Sequence, residues 1–357
     1  MFAFKFDLWL WLAQLGLVIF GLTIIGSVAP GLFWPQLVFV VMGGVGSFIL
    51  ARLDYRIYAK TAPFLYLLSI LLLLLPVFLG FSVHGSTRWL RIGWFNFQPS
   101  EIVKPLLVLF FAGYFGEQEL FSLKRVAVGA LLLLLPVWLV FNQPDLGSSL
   151  VLIFLWLGIV FAGGISRWWL VGSGALLAAL LPFLRHFLKD YQKERLASFL
   201  RPQNDPLGAG YHLLQSKVAI GSGQLFGRGL GRGTQSHLRF LPERQTDFIF
   251  ASLAEEVGFL GSLGVLGFFA LVLYRLLRIS ERSRDRSGRL IGAGIFSWLF
   301  SQAVMNIGVN LGFLPVTGVT LPLVSYGGSS VLAVMLGLGL MQSVARLGQR
   351  EKAVEIR

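Results

Sequence analysis

The stretch Leu8-Trp-Leu-Trp-Leu-Ala-Gln-Leu-Gly-Leu-Val-Ile-Phe-Gly-Leu-Thr-Ile-Ile-Gly-Ser27 decides the fold class. It carries no charged side chain. At about 1.5 Å per helical residue it matches the roughly 30 Å of hydrocarbon in a bilayer. Runs of the same kind recur at 8–27, 32–50, 63–81, 101–116, 126–142, 147–164, 168–185, 248–275, 290–312 and 323–345. The reading is an all-α, polytopic membrane protein with ten transmembrane helices, a single integral domain over 1–357. The fourth run is the least apolar, because Glu101, Lys104 and Pro105 stand at its start. Lys5 is the one basic residue ahead of the first run and no small-residue cleavage site follows. That run therefore reads as a span and not as a removable signal.

Composition points the same way. Of 357 residues, 55% are hydrophobic and 13% charged, and the mean hydropathy is +0.74. A soluble domain carries about 25% charged residues. A soluble enzyme, a disordered chain and a nucleic-acid-binding module are excluded, despite the net charge of +13. The absence of cysteine excludes disulfides, thiolate metal sites and thiol nucleophiles.

The charge makes sense through its distribution. Ten spans put both termini on one side. With that side cytoplasmic, 17 of the 30 Lys and Arg lie inside, and the short outer segments hold only Arg88, Arg91 and Lys104. The other 10 are Arg185, at the end of the seventh span, and nine residues of one long outer loop, about 186–247, between the seventh and eighth spans. Cytoplasmic loops of membrane proteins are enriched in Lys and Arg, so both termini are expected inside. The run Glu281-Arg-Ser-Arg-Asp-Arg-Ser-Gly-Arg289 reads as a solvated cytoplasmic loop beside anionic lipid.

Three polar patches fall at the outer ends of predicted spans. An ionisable group within a span costs about 2.5–3.5 kcal/mol even on lenient scales, so such groups are candidates for function. The first patch is His84-Gly-Ser-Thr-Arg88-Trp89-Leu-Arg91 with Gln98-Pro-Ser100-Glu101-Ile-Val-Lys104-Pro105. Ser100 reads as an N-cap, and Pro105, which lacks a backbone donor, as a point of helix restart. Glu101 and Lys104 are neighbours on a helix, either a self-neutralising ion pair or part of a polar cavity. Trp89 is either an interfacial belt residue or a platform for sugar. The second patch is Gln143-Pro-Asp145-Leu-Gly-Ser-Ser149, in which Asp145 reads as a helix cap.

The third patch is the long loop. It contains Tyr211-His-Leu-Leu-Gln215-Ser-Lys217, where 211–220 suits a short amphipathic helix. Glycines follow at 221, 223, 227, 229, 231 and 233, interleaved with Arg228 and Arg232. They are either a flexible loop or a wrap for an anion such as pyrophosphate. The loop ends Leu241-Pro-Glu243-Arg-Gln-Thr-Asp247, where the chain enters the eighth span; Glu255 and Glu256 follow two turns deeper, at apparent hydrocarbon depth. Asp247 is either the cap of that span or a partly desolvated carboxylate able to act as a base.

Together these stretches resemble the SEDS family of shape, elongation, division and sporulation proteins, which includes RodA, FtsW and SpoVE. The resemblance rests on Arg88-Trp89, Gln98-Pro-Ser-Glu101-x-x-Lys104, Gln143-Pro-Asp145-Leu-Gly and Tyr211-His-Leu-Leu-Gln215-Ser-Lys. It continues through Gly233-Thr-Gln235, Leu241-Pro-Glu243-Arg-x-Thr246-Asp247-Phe, Glu255-Glu256-x-Gly258, Asn306-Ile-Gly308 and Pro322-Leu-Val-Ser325-Tyr-Gly-Gly-Ser329. Gly233-Thr-Gln235 followed by Leu241-Pro-Glu243-Arg is similar to the elongation branch. Gln224, Gln245 and Thr320 depart from the pattern, which has Gly, His and Pro there.

The resemblance implies a peptidoglycan glycosyltransferase in the cytoplasmic (inner) membrane, with its active site on the extracytoplasmic side. Such an enzyme joins lipid II disaccharides into β-1,4 strands with inversion and releases undecaprenyl pyrophosphate. Asp247 matches the family's essential aspartate. Trp89, Glu101, Lys104, Asp145, Glu243 and Glu255 match its polar cavity. Arg88, Arg91, Lys104, Arg228, Arg232 or a divalent cation, Mg or Mn, would neutralise the leaving pyrophosphate; no resident cofactor is firmly implied. Expected partners are a class B penicillin-binding protein and other elongation-complex membrane proteins, and no nucleic acid. A lipid II flippase, or a scaffold for the cross-linking enzyme, are the alternatives.

Overall fold

A computed structural model describes residues 6–83, 86–93, 95–116, 122–165, 168, 172, 190–200, 208–238 and 240–354. The chain opens with α1 (Leu8–Val28), α2 (Phe33–Arg52), a short α3 (Tyr55–Lys60) and α4 (Ala62–Leu79). A small sheet follows, β1 (Phe81–Val83), β2 (Ser86–Ile92) and β3 (Phe95–Phe97), and then α5 (Pro99–Gly116), α6 (Leu123–Asn142) and α7 (Leu146–Ala162). The polar stretch holds α8 (Asp190–Leu200), α9 (Ala209–Ser222) and α10 (Thr234–His237). The chain closes with α11 (Ile249–Arg282), α12 (Arg286–Asn310) and α13 (Gly328–Val354).

Among the described residues, seven helices are long and apolar enough to cross a membrane: α1, α2, α4, α6, α11, α12 and α13. The fourth and sixth predicted spans correspond to α5 and to the shorter apolar α7. The seventh, 168–185, lies outside the described residues apart from Trp168 and Gly172. The chain is a multi-pass membrane protein.

Burial separates two kinds of helix. The apolar windows of α12 and α13 are 72% and 78% buried, while those of α2 and α4 are 22% and 28% buried. The outer helices leave apolar side chains for lipid, and the central pair meets protein. α12 packs on α5, α7 and α11, and α13 on α2. Small residues permit the last contact: a Cβ on Gly339 would come within 2.5 Å of the Ser47 carbonyl oxygen, so the two backbones approach as closely as glycine allows. α5 is sheathed on nearly every side by protein, which is why it tolerates Glu101 and Lys104. It runs unbroken from Pro99 through Pro105, so Pro105 marks no restart and Ser100 lies inside the helix. Pro99 takes the first helical position, where a missing N–H costs nothing.

The all-α expectation needs one correction. β1, β2 and β3 form a three-stranded antiparallel sheet in that order, with Phe81 opposite Trp89 and Arg91 opposite Asn96. Gly93, at φ +60°, lies between β2 and β3. β1 and β3, with three residues each, are too short to show a period in sequence.

Candidate active site

Asp247 sits in the turn that leads into α11. Its main chain is tightly held. Asn306 Nδ2 and Asn310 Nδ2 both donate to the Asp247 carbonyl oxygen, at 3.0 and 2.8 Å. Asn310 Oδ1 accepts from Ala251 N at 2.9 Å. On the preceding residues, Ser325 Oγ donates to the Thr246 carbonyl at 2.7 Å and Tyr326 N to that of Gln245 at 2.8 Å. Glu243 closes the turn in the left-handed region, φ +47°, and accepts Thr246 Oγ1 on its carboxylate at 2.9 Å.

The Asp247 side chain is treated differently. It accepts no hydrogen bond from any described residue, and Phe248, not Asp247, takes the cap position of α11. The carboxylate is surrounded by protein and keeps partial exposure, as a cavity-lining group does. Burial raises its pKa from 3.8 to about 6. Arg88 and Arg195 pull the value down, and the carboxylates of Glu243 and Asp145 push it up.

Arg88 reaches this site through the pleat of β2. Successive residues of a strand point to opposite faces. Arg88 therefore shares a face with the buried Leu90, while Trp89 and the exposed Arg91 take the other. Arg88 Nη1 lies 3.5 Å from Asp145 Oδ2. Asp145 caps α7: its Oδ1 accepts Ser148 N at 3.0 Å, and its Oδ2 accepts Ser148 Oγ at 2.9 Å and Gln98 Nε2 at 3.0 Å. Gln98 thus ties the start of α5 to the start of α7.

Glu101 and Lys104 form a buried ion pair on α5. Lys104 is wholly buried, with Nζ 6.0 Å from the centroid of the Trp298 ring. Glu101 Oε2 is buried without a hydrogen-bond partner. Trp298 Nε1 donates to Gln302 Oε1 at 2.6 Å, Gln302 Nε2 to Thr320 Oγ1 at 3.2 Å, and Thr320 shares a bond with Ser330 Oγ at 2.9 Å. Thr320, which departs from the family pattern, is a link in this chain.

Arg228, Arg232 and Glu255 are not brought to Asp247. Glu255 is fully buried, and its carboxylate receives Gln235 N at 2.8 Å, Ser236 N at 3.0 Å and Ser236 Oγ. Glu256 Oε1 accepts Ser27 Oγ at 2.7 Å and contacts His237 Nε2 at 2.8 Å. Arg228 is exposed and donates to Thr234 Oγ1 at 3.1 Å, and Arg232 is exposed.

The glycine run has a mechanical task here. α11 is broken at Gly258, with φ 71° and ψ −167°. The chain at 224–229 lies against the break. Phe259 N and Leu260 N donate to the carbonyls of Gln224 and Leu225, and Arg228 N and Gly229 N to those of Glu255 and Glu256. A break in an apolar helix requires such replacement partners. A Cβ on Gly227 would come within 2.2 Å of the Glu256 carbonyl oxygen. Gln224 stands at φ +48°, in the region that favours glycine, the residue the resemblance implies at this position. The segment 259–282 alone is about 36 Å long, enough to span the hydrocarbon. Glu255 and Glu256 close the short segment before the break, and their carboxylates are held by Ser27, Gln235, Ser236 and His237.

Sequence reasoning missed Arg195 on α8, whose Nη1 donates to the Val316 carbonyl at 3.2 Å, and Gly318, which adjoins both Arg88 and Asp247. Arg195 was hidden among the nine cations of a polar loop. Among the described residues, no three His, Asp or Glu side chains gather as a metal-ligand set.

Residues 7–350 match the profile of the FtsW/RodA/SpoVE cell cycle proteins. The chain belongs to this family. Peptidoglycan glycosyltransferase MrdB of Escherichia coli K12 is 44% identical over 308 residues, covering 85% of this chain and 83% of MrdB. Stage V sporulation protein E of Bacillus subtilis 168 is 37% identical over 317 residues, covering 87% and 86%. Among solved structures, the rod shape determining protein RodA of Thermus thermophilus is 34% identical, with a TM-score of 0.73 over 96% of this chain and 98% of that one. A chain from a peptidoglycan synthase complex that coordinates polymerization and crosslinking is 35% identical, with a TM-score of 0.83 over the same shares.

Proposed function

We propose that this FtsW/RodA/SpoVE family protein is an inverting peptidoglycan glycosyltransferase of the inner membrane, with ten spans, cytoplasmic termini and an outward-facing site. One observation carries the reading. Asp247 presents a carboxylate that accepts no hydrogen bond from any described residue, with a pKa of about 6, under the influence of the Arg88 and Arg195 guanidinium groups. A base with a pKa near the working pH combines ionisation with a strong pull on a proton.

In this scheme Asp247 takes the proton of the acceptor GlcNAc 4-hydroxyl as that oxygen attacks C1 of the donor MurNAc. The bond from C1 to the diphosphate breaks, and α becomes β in one displacement. Undecaprenyl pyrophosphate leaves as an anion, so cations suffice where glycosidases need an acid. Arg88 and Arg195 supply that charge in the proposal, and a bound Mg or Mn ion would be held chiefly by the diphosphate itself. Glu101 and Lys104 shape the polar wall. A class B penicillin-binding protein is the proposed partner, supported by the similarity to a chain from a synthase complex that couples polymerization to crosslinking.

Proteoliposomes bearing lipid II on the Asp247 face test this. Polymer from the parent protein and none from Asp247→Asn is the expected result. Passage of fluorescent lipid II across the bilayer without polymer would replace the transferase with a flippase. Neither activity, with or without the partner, would leave a scaffold.

A further inference from the structure

Gly318 lies between the two charged groups of the site. It stands at φ +72°, in the region that favours glycine. A Cβ built there would be 3.8 Å from Arg88 Nη2, 3.9 Å from Arg88 Nη1 and 3.8 Å from Asp247 Oδ2. These are ordinary contact distances, so a methyl group would fit without displacing protein atoms. Arg88 forms its ion pair with Asp145 and none with Asp247, so the space between guanidinium and carboxylate is bridged by neither.

The segment carrying Gly318 is fixed on both sides. The Val316 carbonyl accepts from Arg195, the Val319 carbonyl accepts Asn306 Nδ2 at 2.8 Å, and Thr320 is held by Gln302 and Ser330. The notch over Gly318 is therefore a built feature with little freedom to adjust. It offers a hydrogen-bond donor on one wall and an acceptor on the other.

We infer that Gly318 sets acceptor specificity: its missing side chain leaves the seat of the attacking sugar hydroxyl, which donates to Asp247 Oδ2 and accepts from Arg88. The inference rests on the glycosyltransferase reading and deepens it. As the seated oxygen bonds to the donor carbon, its proton passes to Oδ2 and the bond to the diphosphate breaks. A methyl at this point occupies the seat of the acceptor and spares the donor.

The test is a single coupling between two analogues. Lipid II capped at its 4-hydroxyl serves as donor only, and lipid II with a phosphonate in place of the scissile phosphate oxygen serves as acceptor only. In Gly318→Ala the acceptor KM rises at least tenfold while the donor KM stays within twofold. Gly164→Ala is the control for backbone strain, because Gly164 has φ +96° and open space around it. The two variants melt alike. Gly318→Asn, which tolerates the left-handed region better, repeats the split if the alanine variant folds poorly. An acceptor KM within twofold of the parent, equal rises in both KM values, or melting of both Gly318 variants far below Gly164→Ala overturns the inference. A parent protein that couples nothing overturns the transferase reading itself.

Discussion

Two acids each stand one or two residues before an apolar helix, and the structure uses them in opposite ways. Asp145 spends its carboxylate on the fold. It caps α7, binds Ser148 and Gln98, and pairs with Arg88. Asp247 spends only its main chain. Two asparagines grip its carbonyl, and its carboxylate accepts no hydrogen bond from the described residues. The donors around Asp145 fix its carboxylate in place, whereas burial without donors draws the Asp247 carboxyl toward protonation. The difference separates a structural acid from a reactive one better than position or burial does.

The comparison breaks most readily by exchange of charge. Asp247→Asn should cut the polymerisation rate by about a thousandfold or more, within the range of a lost general base, while the protein still folds and inserts. An Asn variant retaining a tenth of the parent rate in a lipid II assay would end the contrast. The pH profile is next. Because the base works ionised and titrates at about 6, the rate should fall about tenfold per unit below that pH. The same shift has a stability sign. A carboxyl whose folded pKa exceeds its unfolded value destabilises the fold once ionised. Asp247→Asn should therefore melt higher than the parent above about pH 6, and the gain should fade as pH drops toward 4.

Asp145→Ala tests the other acid. It removes a helix cap and leaves Gln98 and Arg88 without their partner, so a loss of about 2 kcal/mol or more in stability is expected. Activity should fall with it as Arg88 loses its anchor, and denaturation in detergent measures the first effect. The smallest change is expected from Arg228→Gln, which should leave the lipid II KM within twofold of the parent, since Arg228 contacts Thr234 and not the Asp247 site.

Much of this was legible in the sequence, for definite reasons. Hydrocarbon demands about twenty apolar residues, so α1, α4 and α12 could be placed by length. Arg88, Asp145 and Asp247 stood out because charge is costly at a span. What was not legible depended on geometry that composition does not carry. Arg88 and Arg91 flank the same Trp89, and only the pleat of β2 sends one inward. The Gly258 break is one glycine among 42, and nothing in an apolar run marks it as a break. The isolated carboxylate of Asp247 and the capping carboxylate of Asp145 look alike as letters, because the asparagines that distinguish them are some sixty residues further along for one.

The break at Gly258 divides α11 into a short stub and a long shaft. The stub is tied to α12 and to the glycine loop, and the shaft begins on the same loop and packs on α1 and α12. The loop thus grips both sides of the break, so the acid that precedes the stub keeps its register with α12 although its helix is interrupted.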